Sequence, residues 1–208
     1  MPRSLFIYSI FYGGMVCIAG VLGNKQVALG PLAVEAGIFP FLMLVITSSA
    51  IAELHGKDRA TALVKFGFIP LVASILLTFL VLLLPASDKM EPARLDAFNT
   101  ILNQSWRMMG AGIISYGISQ MLNVWLFDRL RAGTGKLVAV RGAIAAALSQ
   151  IIDTLLFITI SFYGVFPIAN LMMGQMLAKV VLSLVMVPVV IQFMVSLGRR
   201  LDAAETSA

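Results

Sequence analysis

Uncharged, mainly apolar runs occupy residues 4–24, 36–52, 66–87, 108–127 and 180–198, and between Arg141 and Lys179 the only charge is Asp153. These runs are continuous, without the alternation that marks the strands of a membrane barrel, so strands are not expected in them. A helix of about 20 mainly apolar residues crosses the ~30 Å hydrocarbon layer of a bilayer. Six such segments fit the chain, at 4–23, 37–54, 66–85, 106–127, 137–163 and 168–197. The last two exceed a minimal crossing, which implies tilt or extension past the bilayer. The pattern predicts an all-α polytopic membrane protein: one six-helix transmembrane domain over 1–198, then a mobile tail over 199–208.

The connections carry their own signals. "NKQVALGPLAVEAG" (24–37) places a Gly-Pro turn between short apolar runs and reads as a small hairpin or a re-entrant loop. The longest connection, 85–105, fits a short amphipathic helix starting near Ala93. With the N-terminus inside, ten Lys and Arg residues fall on the inner side and four (Lys25, Lys89, Arg94, Arg107) on the outer. That bias places both termini in the cytoplasm. No cleavable signal peptide is expected, because the first apolar run is as long as a full span.

Composition narrows the function. Hydrophobic residues make up 60% of the chain and charged residues 12%. The net charge of +5 is spread over loops rather than along one stripe, which disfavours nucleic acid. Cys17, the single cysteine, has no intrachain partner. "GTGK" (133–136) lacks the first glycine of a phosphate loop, and no soluble domain leaves room for an ATPase. There is no HExxH, no Cys–His couple and no serine beside a plausible base, so neither an enzyme nor a cofactor or metal site is expected.

The informative residues are polar groups at membrane depth. Counting at ~1.5 Å per residue places Asp153 about 4–5 Å outward of the centre of the fifth segment, and Lys179 at similar depth on the sixth. A lone charge there costs ~2.5–3.5 kcal/mol or more, so the two are expected to meet each other or a wet cavity. Gln150, Asp153, Thr154 and Phe157 share one helical face, as do Tyr116, Gln120, Asn123 and Phe127, while Gln175 and Lys179 lie four apart. Amides and a carboxylate beside aromatic rings suit a flat, heteroatom-rich solute. The bland readings stay open: amides that only bond helices together, a structural ion pair, and a snorkelling Arg107. Glu53 has Arg59 or Arg141 as candidate partners. A small-solute carrier fits better than a channel, which would use rings of repeated groups, or an assembly factor. A homo-oligomer is left open.

Three stretches resemble the vitamin-uptake-transporter-like family of queuosine precursor transporters: "GIFPFLMLVITSSAIAELHGKDRA" (37–60), "ISQMLNVWLFDRLRAGTGKLVAVRGAIAAALSQIIDTLLFITISFYG" (118–164) and "QMLAKVVLSLVMVPVVI" (175–191). The resemblance implies import of 7-cyano- or 7-aminomethyl-7-deazaguanine without an ATPase partner, on a helix arrangement like that of the substrate-binding subunits of energy-coupling-factor importers. It carries over Glu53, Arg107, Gln120, Asn123, Asp128, Arg141, Gln150, Asp153 and Lys179 as functional positions. Tyr116 and Phe157 join them as ring-stacking candidates, in a midplane site between the last three segments. Two departures stand out: Ser48 and Ser49 replace a frequent Thr-Asp pair, and Asn123 replaces a frequent Asp. The alternative reading is a binding subunit of an energy-coupling-factor importer for another vitamin. "SIFYGGMVCIAG" in the first segment lacks the Ala-x-x-x-Ala docking face such subunits carry.

Overall fold

In hydrocarbon every backbone N–H and C=O needs a partner within the chain, so the apolar runs close on themselves as helices. A computed structural model describes residues 1–30, 32–103, 106–131, 137–165 and 167–206. In chain order the elements are α1 (Arg3–Leu22), β1 (Gln26–Leu29), β2 (Leu32–Glu35), α2 (Ile38–His55), α3 (Lys57–Leu83), α4 (Pro92–Leu102), α5 (Trp106–Arg129), α6 (Val138–Phe162) and α7 (Ala169–Thr206). The GTGK loop, including Lys136, and Pro31 of the Gly-Pro turn lie outside the described residues.

Five helices are long and apolar enough to cross a membrane among the described residues: α1, α2, α3, α6 and α7. α5 has the length, but its glycines, hydroxyls and amides, Gly110 to Asn123, hold its hydropathy below that of the other five. α2 is the buried centre, with Leu42, Leu44, Val45, Ile46 and Ile51 sealed against α1, α3, α5, α6 and α7. α3 is the most exposed, presenting Phe66, Ile69, Leu76 and Leu77, while α7 presents Val185, Val189 and Phe193. Apolar surface this extensive would aggregate in water and is expected where lipid covers it.

The segment 24–37 is a hairpin: β1 and β2 pair antiparallel, with Gln26 opposite Glu35 and Val27 opposite Val34. Of the two readings of this segment, small hairpin or re-entrant loop, the structure has the hairpin; a turn inside so short an apolar loop lets each strand satisfy the other's backbone. β2 packs on α7, and Val34 is fully buried. α4 starts with Pro92 in its first turn, where the missing N–H has no helical acceptor to lose. α3 begins at Lys57, nine residues before the apolar run, because Gly56 (φ 87°) reverses the chain directly out of α2. The residues from 199 onward, expected as a mobile tail, continue α7 through Thr206. Asp202 there accepts hydrogen bonds from the Ser4 amide at 2.9 Å and the Ser4 hydroxyl at 2.7 Å, which ties the last helix to the first.

One close crossing joins α1, α3 and α5. The Tyr116 hydroxyl donates to the Val64 carbonyl at 3.0 Å and lies 3.0 Å from the Tyr12 hydroxyl. A Cβ at Gly67 would sit 2.1 Å from the Tyr116 oxygen and 2.8 Å from the Tyr12 ring. Gly67→Ala is therefore expected to destabilise the protein by about 1–3 kcal/mol through overpacking. Thermal unfolding in detergent measures it, and an unchanged midpoint would show that the crossing tolerates a methyl group.

Candidate functional site

The two charges at matched depth do meet. Lys179 Nζ on α7 donates to Asp153 Oδ2 on α6 at 2.9 Å, with side chains only 12% and 5% exposed. The other Asp153 oxygen accepts a longer bond, 3.4 Å, from Ser119 on α5. The ammonium also lies 5.8 Å from the centre of the Phe41 ring on α2, within cation–π range. A buried pair of this kind is weak evidence for stability, because desolvation offsets much of the attraction.

The pair faces a cavity of about 300 Å³, at the lower end of the ~300–1,000 Å³ typical of small-molecule sites. Asp153, Lys179, Tyr116 and Phe157 all line it. Most of its wall, however, comes from α1, α2, α3 and α5, through small and apolar residues such as Val16, Gly20, Leu71 and Gly112. The expected site lay between the last three segments; of these, α6 and α7 contribute only Asp153, Phe157 and Lys179 to this cavity. The reason is steric, since α6 and α7 pack closely on each other and α5 on α6, leaving space on the side of α1 and α3.

A further carboxylate stands in this cavity. Glu35, the last residue of β2, lines it beside Asp153 and Lys179. Burial pushes the Glu35 carboxyl above its usual range; Lys179 opposes that shift and Asp153 reinforces it. Sequence reasoning passed over Glu35, although it is the only acidic residue between the first two apolar runs.

The remaining candidates lie off the cavity wall. Gln120 and Gln150 are fully buried, and their amide atoms have no hydrogen-bond partner among the described residues; the same holds for the Gln175 amide. Asn123 Nδ2 reaches Ser49 Oγ at 3.0 Å, Ser48 Oγ at 3.1 Å and the Val45 carbonyl at 3.2 Å. The two departures from the family pattern thus touch each other, forming an uncharged cluster between α2 and α5. Arg107 serves the end of α6: its guanidinium donates to the carbonyls of Ile160 and of Tyr163, the latter at 2.8 Å, both left without helical partners. The Tyr116 hydroxyl is committed to the backbone of α3, which leaves its ring edge for the cavity.

At the opposite end of the bundle Glu53 pairs with Arg141 at 2.5 Å, with the guanidinium 4.6 Å from the Phe127 ring centre. Arg141 is almost wholly buried. Beyond it, the Ser4 hydroxyl contacts His55 Nε2 at 2.6 Å as well as Asp202, joining α1, α2 and α7. Asp128, among the described residues, makes an exposed pair with Lys57, at 3.7 Å. One end of the bundle is thus open to a charged cavity, and the other is closed by an ion pair and a hydrogen-bonded knot. Among the described residues no three His, Cys, Asp or Glu side chains are placed to hold a metal.

A Bacillus subtilis (strain 168) protein named "Probable queuosine precursor transporter" is 24% identical over 185 residues, covering 86% of this chain and 80% of that one. No solved structure matches the chain. Residues 35–193 match the family described as "Putative vitamin uptake transporter", a stretch that begins at Glu35 and takes in Asp153 and Lys179. Family and relative together make this a multi-pass membrane transporter and not an enzyme. With three-quarters of its length inside that match, the chain belongs to the vitamin uptake transporter family.

Proposed function

We propose that the protein imports 7-deazaguanine precursors of queuosine, 7-cyano- or 7-aminomethyl-7-deazaguanine, across a bacterial inner membrane. The observation that carries this reading is the buried Asp153–Lys179 pair on the wall of a cavity of small-solute size. In this reading α5 is the sixth crossing, and the cavity opens outward on the side of the hairpin and α4. A deazaguanine presents N1–H and an exocyclic NH₂ side by side, and a carboxylate accepts such a pair in parallel. Asp153 is the group for that contact. Its bond to Lys179 fixes one oxygen, and its weakly used oxygen on the Ser119 side is available to a donor. Phe157 and the Tyr116 ring supply apolar faces for the heterocycle.

Transport then requires the closed end to open. Glu53–Arg141 over Phe127 and the Ser4–His55–Asp202 knot are the contacts that must part. The unpartnered amides of Gln120 and Gln150 lie beyond the cavity wall, where they would meet a solute moving inward. Consumption of the solute inside draws net flux without a coupled ion. Arg107 acts on this site by holding the end of α6.

The test is uptake in cells that cannot make queuosine and lack their own importer. Each precursor is supplied at nanomolar level and queuosine is measured in tRNA. Restoration by at least one precursor is expected; restoration by neither would reject the assignment. Coupling ATPases that co-purify with the protein would instead favour a binding subunit of an energy-coupling-factor importer.

A further inference from the structure

Two carboxylates and one ammonium, those of Asp153, Glu35 and Lys179, line the cavity. Asp153 is neutralised by Lys179 at 2.9 Å. Glu35 lines the same space from the hairpin, and its side chain has no hydrogen bond and no ion pair within 4.0 Å among the described residues. Its strand is fixed on both sides, by pairing with β1 and by packing on α7, with Val34 fully buried. The carboxylate therefore stands where it does because the hairpin is docked, not because a cation holds it. With Lys179 already bonded to Asp153, two carboxylates face one ammonium on the cavity wall, and a cationic group on a ligand would balance them.

We propose that Glu35 is a specificity-determining residue: it leaves the cavity with one uncompensated negative charge, so the site selects heterocycles carrying a cationic amine over neutral ones of the same shape. This rests on the 7-deazaguanine reading and deepens it. The 7-aminomethyl precursor is a primary ammonium at neutral pH, whereas the 7-cyano precursor is uncharged on the same ring. Asp153 takes the edge common to both, and Glu35 takes the substituent that differs. Burial pushes the Glu35 carboxyl up, and Lys179, already bonded to Asp153, offsets that push only in part. Filling that place gives a charge-assisted hydrogen bond, which the nitrile cannot form.

The experiment is calorimetric titration of the purified full-length protein with each precursor at neutral pH, for the wild type and for Glu35→Gln. The wild type is expected to bind the aminomethyl compound roughly tenfold or more tighter than the cyano compound, as charge-assisted bonds allow. Glu35→Gln should erase that preference while keeping the wild-type affinity for the cyano compound, which also shows that the variant is folded. Equal wild-type affinities, or a preference that survives Glu35→Gln, would overturn the role of Glu35 and leave the transporter reading standing. Binding of neither compound to the wild type would overturn both. If Glu35→Gln does not fold, equal wild-type affinities still overturn the role of Glu35, and Glu35→Ala carries the same test of a measured preference.

Discussion

Asp153→Asn is expected to lower uptake by about 10- to 100-fold, the loss of one or two hydrogen bonds to a charged acceptor, while the protein still reaches the membrane in normal amount. The substitution keeps size and shape but removes the charge proposed to receive the donor edge of the solute, and it leaves Lys179 buried without its partner. Uptake per unit of membrane-inserted protein measures it. A purely structural pair makes a different forecast. Replacing both partners of a buried pair with neutral groups recovers most of the stability lost in the single variant. For a brace, Asp153→Asn combined with Lys179→Met would restore uptake along with stability. For a binding site it restores stability alone, because the acceptor stays absent.

The second large effect lies at the closed end. Arg141→Met is expected to destabilise the protein by about 3–5 kcal/mol, the usual result of leaving one member of a buried pair without its partner. Glu53 is 11% exposed and would keep a carboxylate facing apolar neighbours, and Phe127 would lose the cation beside its ring. Adding Glu53→Gln should recover a large part of that loss. Unfolding midpoints in detergent report both, and a single variant within about 0.5 kcal/mol of wild type, as for ordinary surface changes, would show that water reaches the pair. The same double variant separates stability from transport, since a gate with no ion pair should still close but hold less firmly.

Some of this was visible in the residue order for plain physical reasons. Charge-free runs of crossing length read directly as helices, and Asp153 and Lys179 could be matched because depth follows from counting along a helix. Glu53 had two candidate partners, and the fold brought Arg141 to it rather than Arg59. The cavity wall was not visible. Val16, Gly20, Leu71 and Gly112 are the residues that any membrane helix carries, so nothing marks them as lining a void. Arg107 looked like a headgroup contact because the carbonyls it serves, at Ile160 and Tyr163, belong to a helix end more than fifty residues away. Asp202 in a polar C-terminal stretch gave no sign of its bonds to Ser4, which depend on the first and last helices lying side by side. Glu35 was passed over because a charge in a loop is ordinarily solvated, and only the docking of the hairpin turns it inward.

The chain supplies its own reporter for the central claim that solute occupies the cavity beside Asp153. Cys17 is its single cysteine, it lines that cavity, and its thiol lies 3.6 Å from the Pro70 carbonyl on α3. Alkylation of Cys17 by a small water-soluble thiol reagent can be timed in intact cells with and without the transported precursor. A labelling rate that falls several-fold at saturating solute, and does not fall in Asp153→Asn, is the result this account predicts. Uptake that proceeds while the Cys17 rate stays the same at every solute concentration would contradict it.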